Sequence, residues 1–359
     1  MKIGVFLAAS PWGALDEEAM DKGLGGRETA LVQLAVSWAD QGHEVYAFVP
    51  RTESRASAGV HWIPMEQVLS IAPVLGLDVF VSWENVEVFA QLGEANVGTR
   101  VVEMQVAHLQ SSVPVQDHVH YIAALSEWAA DFLHKQHPLF ARERIVVFPN
   151  GVDLNRFVGL PEKKADAPPT FIYSSSPDRG LHHLLNMWPM ITESLKDYST
   201  REPVLHVCYG IENFVEHSRW SHKSDAPRAL QIERGITQDG VVYHGKIGQD
   251  ELAKLMTQSD ALLYPCDTMS HTETGCITIV EALAAGIEVV TTECDCLKTE
   301  FGELTNQSPL PLDYEDFIER ILDVMSGDFV LDDDDRHNFV FSRQWHVIAD
   351  QWTDWFKTL

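Results

Sequence analysis

The first apolar positions of the chain, Lys2 to Ala8, form an unbroken run that reads as a strand buried on both faces of a parallel sheet. Gly23, Gly25 and Gly26 follow, and then Leu31, Leu34, Ala35 and Trp38 recur at i, i+3, i+4 and i+7. That spacing predicts an amphipathic helix over 28–41, closed by Gly42. A second apolar run, Glu44 to Val49, completes a strand, Gly-rich loop, helix, strand unit. Short apolar runs at 78–82, 99–102, 121–125 and 145–148 repeat the theme. Asn150 and Gly151 break the last of them, and the polar, proline-bearing stretch Pro161 to Pro169 has a linker's composition. Beyond it, strands are expected at 170–174, 204–208, 241–243 and 261–264, with helices at 181–195 and 251–256. The 181–195 helix presents Leu181, Leu184, Leu185, Trp188, Ile191 and Leu195 on one face. Near the end, Trp345, Ile348, Trp352 and Phe356 predict a last helix with an apolar side to dock.

Two consecutive doubly wound α/β lobes with a ligand cleft between them are therefore expected. Length agrees, since 359 residues divide into about two domains. Composition adds mainly exclusions. With 45% hydrophobic and 22% charged residues the chain is globular, and its net charge of −27 disfavours nucleic acid and anionic membranes as partners. Residues 1–165 carry 12 basic and 20 acidic side chains, a balance of −8, which leaves −19 for the rest. An anionic ligand therefore needs a local positive pocket. Asp332 to Asp335 lack the spaced ligands of a calcium loop and read as a solvated loop. Five cysteines, an odd number, suit a reducing cytosol. Cys294 and Cys296 have no second half at metal-ligand spacing, so no metal site is assigned. The N-terminal run is too short for a secretory signal, and no run reaches the roughly 18 apolar residues of a membrane helix.

Three segments carry candidate chemistry. In the first, Glu273 and Glu281 stand eight apart in ETGCITIVE, ahead of Ala284, Ala285 and Gly286. On one helix they would lie about 12 Å apart along the axis, too far for paired acid/base work. If the helix begins near Gly275, the free N–H groups of Thr274, Gly275, Cys276 and Ile277 favour a phosphate, with carboxylates on either side to accept sugar hydroxyls. In the second, Arg179 and Gly180 stand in a hydroxyl-rich turn before a helix, placed to clamp a diphosphate. The third, His244 to Gly248, offers Lys246 at the next strand end.

Glu273 and Glu281 with Ala284 to Gly286, the Arg179 turn, Asn150-Gly151 with Asp153, and Gly25-Gly26 with Glu28 together resemble a retaining glycosyltransferase of family 4. The resemblance runs nearly end to end. It implies the GT-B fold, two Rossmann-like domains facing across a cleft. The N-terminal acceptor domain would span 1–162, with helix 340–359 packing back on it, and the donor domain 163–339. It implies a nucleotide-diphosphate sugar, UDP- or GDP-linked, as donor, a hydroxyl acceptor, no required cofactor and no metal. Glu281 would bind ribose hydroxyls, Glu273 the donor sugar, and Arg179 the diphosphate. Ser174 and Ser175 stand where the family has an Arg, a loss that Lys246 would offset. Gly25 and Gly26 would let backbone approach phosphate or acceptor. For the family's strand-tip His near the anomeric carbon, strict alignment offers Gln105, and His108 is the reading preferred here. Two alternatives remain open. One is a non-catalytic GT-B relative that binds nucleotide sugar or glycan. The other is a NAD-dependent Rossmann oxidoreductase or epimerase, disfavoured because the glycines lack G-x-G-x-x-G spacing directly after the first strand.

Overall fold

The computed structural model describes residues 1–161, 163–212, 214–216, 226–267 and 273–359. They form two compact units, one of the described residues within 1–151, 273–275 and 342–359, the other of those within 152–267 and 276–341.

The first unit is built on β1 (Lys2–Leu7), β2 (Glu44–Val49), β3 (Arg55–Ser57), β4 (Val60–Pro64), β5 (Val79–Trp83), β6 (Thr99–Met104), β7 (Tyr121–Ala124) and β8 (Ile145–Val147). Their order across the sheet is β3-β4-β2-β1-β5-β6-β7-β8. Every pair is parallel except β3 with β4. The order reverses between β1 and β5, which opens a crevice at their carboxyl ends. Helix Gly26–Asp40 buries Leu31, Leu34, Ala35 and Trp38, the residues of the 3.6-residue stripe. The last helix, Trp345–Phe356, lies against it. Trp352 meets the Trp38 ring edge-on at 5.8 Å and stacks on Phe148 at 4.2 Å, while Thr353 donates to the Gln41 side chain at 2.9 Å.

The second unit carries β9 (Thr170–Tyr173), β10 (Val204–Val207), β11 (Val241–Tyr243), β12 (Ala261–Tyr264), β13 (Glu288–Thr292) and β14 (Asn306–Ser308), all parallel, in the order β11-β10-β9-β12-β13-β14. Its order reverses between β9 and β12. Helix Leu181–Ser194 buries Leu181, Leu184, Leu185, Trp188 and Ile191.

One expectation is corrected. Asp332 to Asp335 are not a solvated loop: Asp333–Ser342 is a helix, and the Asp332 carboxylate accepts from the N–H of Asp334 at 2.9 Å and of Asp335 at 3.3 Å. Acidic side chains in a first turn cap free N–H groups and complement the helix dipole, so the charge run begins the helix. Among the described residues, no helix is long and apolar enough to cross a membrane.

Candidate functional site

The switch point of the second unit gathers most of the donor-side candidates. β9 ends at Tyr173, and the chain turns through Ser174 to Arg179 into helix Leu181–Ser194. Tyr173, buried at the strand end, donates its hydroxyl to the carbonyls of Ser176 at 2.7 Å and Arg179 at 3.1 Å, which holds the turn in shape. Gly180 stands at the helix N-cap with φ +89°. A Cβ there would come within 1.8 Å of the Pro265 carbonyl oxygen, just after β12, so only glycine lets the two strand-end segments touch. Arg179, partly buried, directly precedes this glycine in the turn.

Helix Ile277–Ala284, with Cys276 as its N-cap, completes this side. The Ser174 and Thr278 hydroxyls are hydrogen-bonded, joining the end of β9 to the helix's first turn. Glu281 lies further along the same helix, partly buried. Burial pushes its carboxyl up to about 7, and Arg156 pulls the other way. Arg156 also bonds the Asp153 carboxylate at 3.3 Å and the Gln249 side chain. Sequence reading missed Arg156, because nothing local in the sequence pairs it with a carboxylate so distant along the chain. Lys246 is exposed. Nearby, His206 Nδ1 lies 2.9 Å from His244 Nε2, and burial lowers both imidazoles, His206 to about 4.

The Glu281 carboxyl predicts an opposed pair of effects. Its folded value lies above the 4.5 of an ordinary Glu, so its contribution to stability is complete below 4.5 and is lost as pH rises through about 7. Discounted for partial exposure, the penalty above pH 7 is about 2 kcal/mol. Glu281→Gln should therefore unfold at a higher temperature than the natural chain at pH 8 and at nearly the same temperature at pH 4.5. Equal denaturation curves at pH 8 would refute this.

Glu273 belongs with the first unit and is completely buried. It precedes the helix, in a segment held by that unit's strand ends. The Thr274 hydroxyl donates to the Gln105 carbonyl at 2.9 Å, the Thr274 carbonyl accepts from Ser126 Oγ at 2.9 Å, and the Gly275 carbonyl accepts from Asn150 Nδ2 at 2.9 Å. Gly275 has no room for a side chain, since a Cβ would lie 2.6 Å from Leu125 Cβ.

The structure therefore brings Gln105, and not His108, to the Glu273 segment. Gln105 is buried and exchanges hydrogen bonds with the Asn150 amide, both at 3.1 Å. His108 is exposed, with Nδ1 3.1 Å from Gln136 Oε1 and its ring edge-on to Phe132 at 5.3 Å. The chain leaves β6 after Met104, so three further residues carry His108 onto helix Glu127–Gln136.

At the first unit's own switch point stands a charged group that sequence reading passed over. Arg27 bonds Glu28 at 2.8 Å, Glu84 at 3.1 Å and the Ala9 carbonyl at 3.1 Å. Glu103, at the end of the next strand, is buried and donated to by Gln105 Nε2 at 2.7 Å. Burial, reinforced by Glu84, raises the Glu103 carboxyl well above the usual range, and burial raises Glu84 despite Arg27. Acidic residues directly after apolar runs, Trp83 before Glu84 and Val102 before Glu103, were the available signal. Gly25 caps the helix that carries Arg27, and a Cβ on it would strike Trp12 Nε1 at 2.8 Å and Glu28 Oε2 at 2.9 Å. Gly26 is exposed at the helix start.

Residues 161–340 match the family model of glycosyl transferases group 1. The chain belongs to that family. No curated protein sequence matches it. Among solved structures, sucrose-phosphate synthase from Thermosynechococcus elongatus superposes on this group 1 chain with a TM-score of 0.70, at 16% identity over 99% of this chain and 98% of that one. Anabaena HepE, solved in complex with UDP-glucose, gives 0.69 at 14% identity over 100% of both chains. The lipopolysaccharide outer core galactosyltransferase WaaB gives 0.66 at 15% over 100% of both. These likenesses show the fold: it is GT-B, with two Rossmann-like domains.

Proposed function

We propose that this group 1 chain is a retaining family 4 enzyme that transfers a sugar from a nucleoside-diphosphate sugar to a hydroxyl acceptor. The observation that carries the reading is the second unit's switch point, where the hydroxyl pair Ser174–Thr278 ties the end of β9, which leads into the Arg179 turn, to the first turn of the helix that bears Glu281. Phosphate groups suit a cation, hydroxyl donors and the N-terminal end of the helix that Cys276 caps, while ribose hydroxyls suit the Glu281 carboxylate.

Departure of the diphosphate is the demanding step. Arg179 and the helix N-terminus offset the charge that develops on it, so the chemistry in this reading uses no bound metal. Glu273 accepts hydroxyls of the donor sugar. Gln105, whose carbonyl is bound by Thr274 beside Glu273, takes the place by the anomeric carbon in preference to His108. The acceptor meets the first unit near Gly25, Gly26 and Arg27. It attacks from the side that the diphosphate leaves, and its proton passes to the departing phosphate. Lys246, exposed, is kept as a secondary contact to the diphosphate.

UDP is the first nucleotide to test, since the HepE structure contains UDP-glucose. In a thermal-shift panel of UDP, GDP, ADP and NAD, one nucleoside diphosphate should stabilise the chain by about 2.7 kcal/mol at 100 times its dissociation constant. NAD should not. Release of that diphosphate from its sugar conjugate, with the anomeric configuration of the product kept, distinguishes an enzyme from a binding relative. Stabilisation by NAD alone would overturn the reading.

A further inference from the structure

Behind the Arg179 turn the second unit holds a cluster that the donor reading leaves unused. Helix Leu181–Ser194 opens with His182 and His183 side by side, their ring centroids 3.9 Å apart. Asp267 faces them from the segment after β12, its Oδ2 2.5 Å from His183 Nε2. One ligand atom from each of the three lies within 4.8 Å of the others. His182 is 6% exposed, and its Nδ1 is buried without a hydrogen-bond partner. Asp267 Oδ1 is likewise buried and unmatched. Two enclosed lone-pair atoms with nothing to accept from, in one place, are costly unless something fills the space between them.

We propose that His182, His183 and Asp267 form a three-ligand site for a divalent transition metal, zinc by the chemistry of the donors, that fastens the start of helix Leu181–Ser194 to the segment after β12. Two imidazoles and one carboxylate are a borderline donor set of the kind that zinc accepts, leaving a fourth position for water. Ligand atoms around tetrahedral zinc stand about 3.4 Å apart, so the present spacings need movements of about 1 Å. The outer support exists as well. His183 Nδ1 lies 2.7 Å from the Tyr314 hydroxyl, a partner on the nitrogen that faces away from the metal, which orients the ring. One feature opposes a cation: the Arg228 guanidinium acts electrostatically on both His182 and Asp267. The site stands apart from the glycosyl-transfer reading and is tested without it.

The test is calorimetric titration of the tag-free full chain with Zn²⁺, joined to zinc-edge X-ray absorption of the unaltered protein. One zinc per chain is expected, with two imidazoles and no sulfur among its neighbours. Asp267→Asn, which keeps the shape, and His182→Asn should each weaken binding about 100-fold, and Tyr314→Phe about 10-fold. Arg228→Ala should tighten it several-fold, an effect that damage to the fold would not produce. No uptake by the unaltered chain, sulfur in the metal's shell, or variant titrations that overlay the natural one would each overturn the proposal.

Discussion

Gly180→Ala is expected to cost about 4 kcal/mol of stability and to abolish nucleoside-diphosphate binding in whatever fraction remains folded. Two penalties add at this position. The backbone lies at φ +89°, where a Cβ is strained, and that Cβ would sit 1.8 Å from the Pro265 carbonyl oxygen and 2.6 Å from its carbon. Neither neighbour is the far end of a flexible side chain, so the turn or the segment after β12 must move. The Arg179 carbonyl is held by Tyr173 within the same turn, so a shift of the turn displaces Arg179 as well. Gly98→Ala is the matched control. It too has a positive φ, +68°, and its Cβ would lie 2.0 Å from the Asp78 carbonyl oxygen, but it belongs to the first unit, whereas β9 and β12 belong to the second. Denaturation midpoints of both variants should fall by similar amounts, while only Gly180→Ala should lose diphosphate binding, measured by calorimetric titration at low temperature where both remain folded. Retained binding in Gly180→Ala would remove Arg179 from the donor site.

Glu273→Gln should lower transfer by about 10²–10³-fold and leave nucleoside-diphosphate binding unchanged. The substitution keeps volume and shape, which matters for a side chain with no exposure at all. It replaces one of the two acceptor oxygens with an amide nitrogen that only donates, so a sugar hydroxyl that in the proposed reading donates to that oxygen loses its acceptor. In the proposed transfer, positive charge would grow on the anomeric carbon as the diphosphate leaves, and a carboxyl group at Glu273 would be worth most at that moment. Single-turnover rates with saturating donor should show the fall, and a thermal shift with the diphosphate alone should not. Full activity in Glu273→Gln, with the diphosphate still bound, would leave the donor sugar without its proposed contact.

The fold was legible where the pattern was local. The runs at Lys2 to Ala8 and Glu44 to Val49, with the Leu31 to Trp38 stripe between them, mark a parallel βαβ unit because strands buried on both faces need continuous apolar sequence and a helix over them needs one apolar side. β3 and β14, three residues each at the edges of their sheets, carry too little pattern to be read. The choice between Gln105 and His108 was not legible either: both follow the same strand, and what separates them is a hydrogen bond from Thr274, 169 residues further along.

By itself the sequence determined two α/β lobes, the glycine-marked turns and the Glu273–Glu281 segment, since these follow from periodicity and from residue types at short spacing. Only tertiary structure decided which groups share an environment: Arg156 beside Glu281, Arg27 between Glu28 and Glu84, Glu103 buried near them, and Asp267 against His182 and His183. A carboxyl's proton affinity and an imidazole's neighbours depend on desolvation and on charges a few ångströms away, and in a doubly wound sheet those charges arrive from strand ends scores of residues apart.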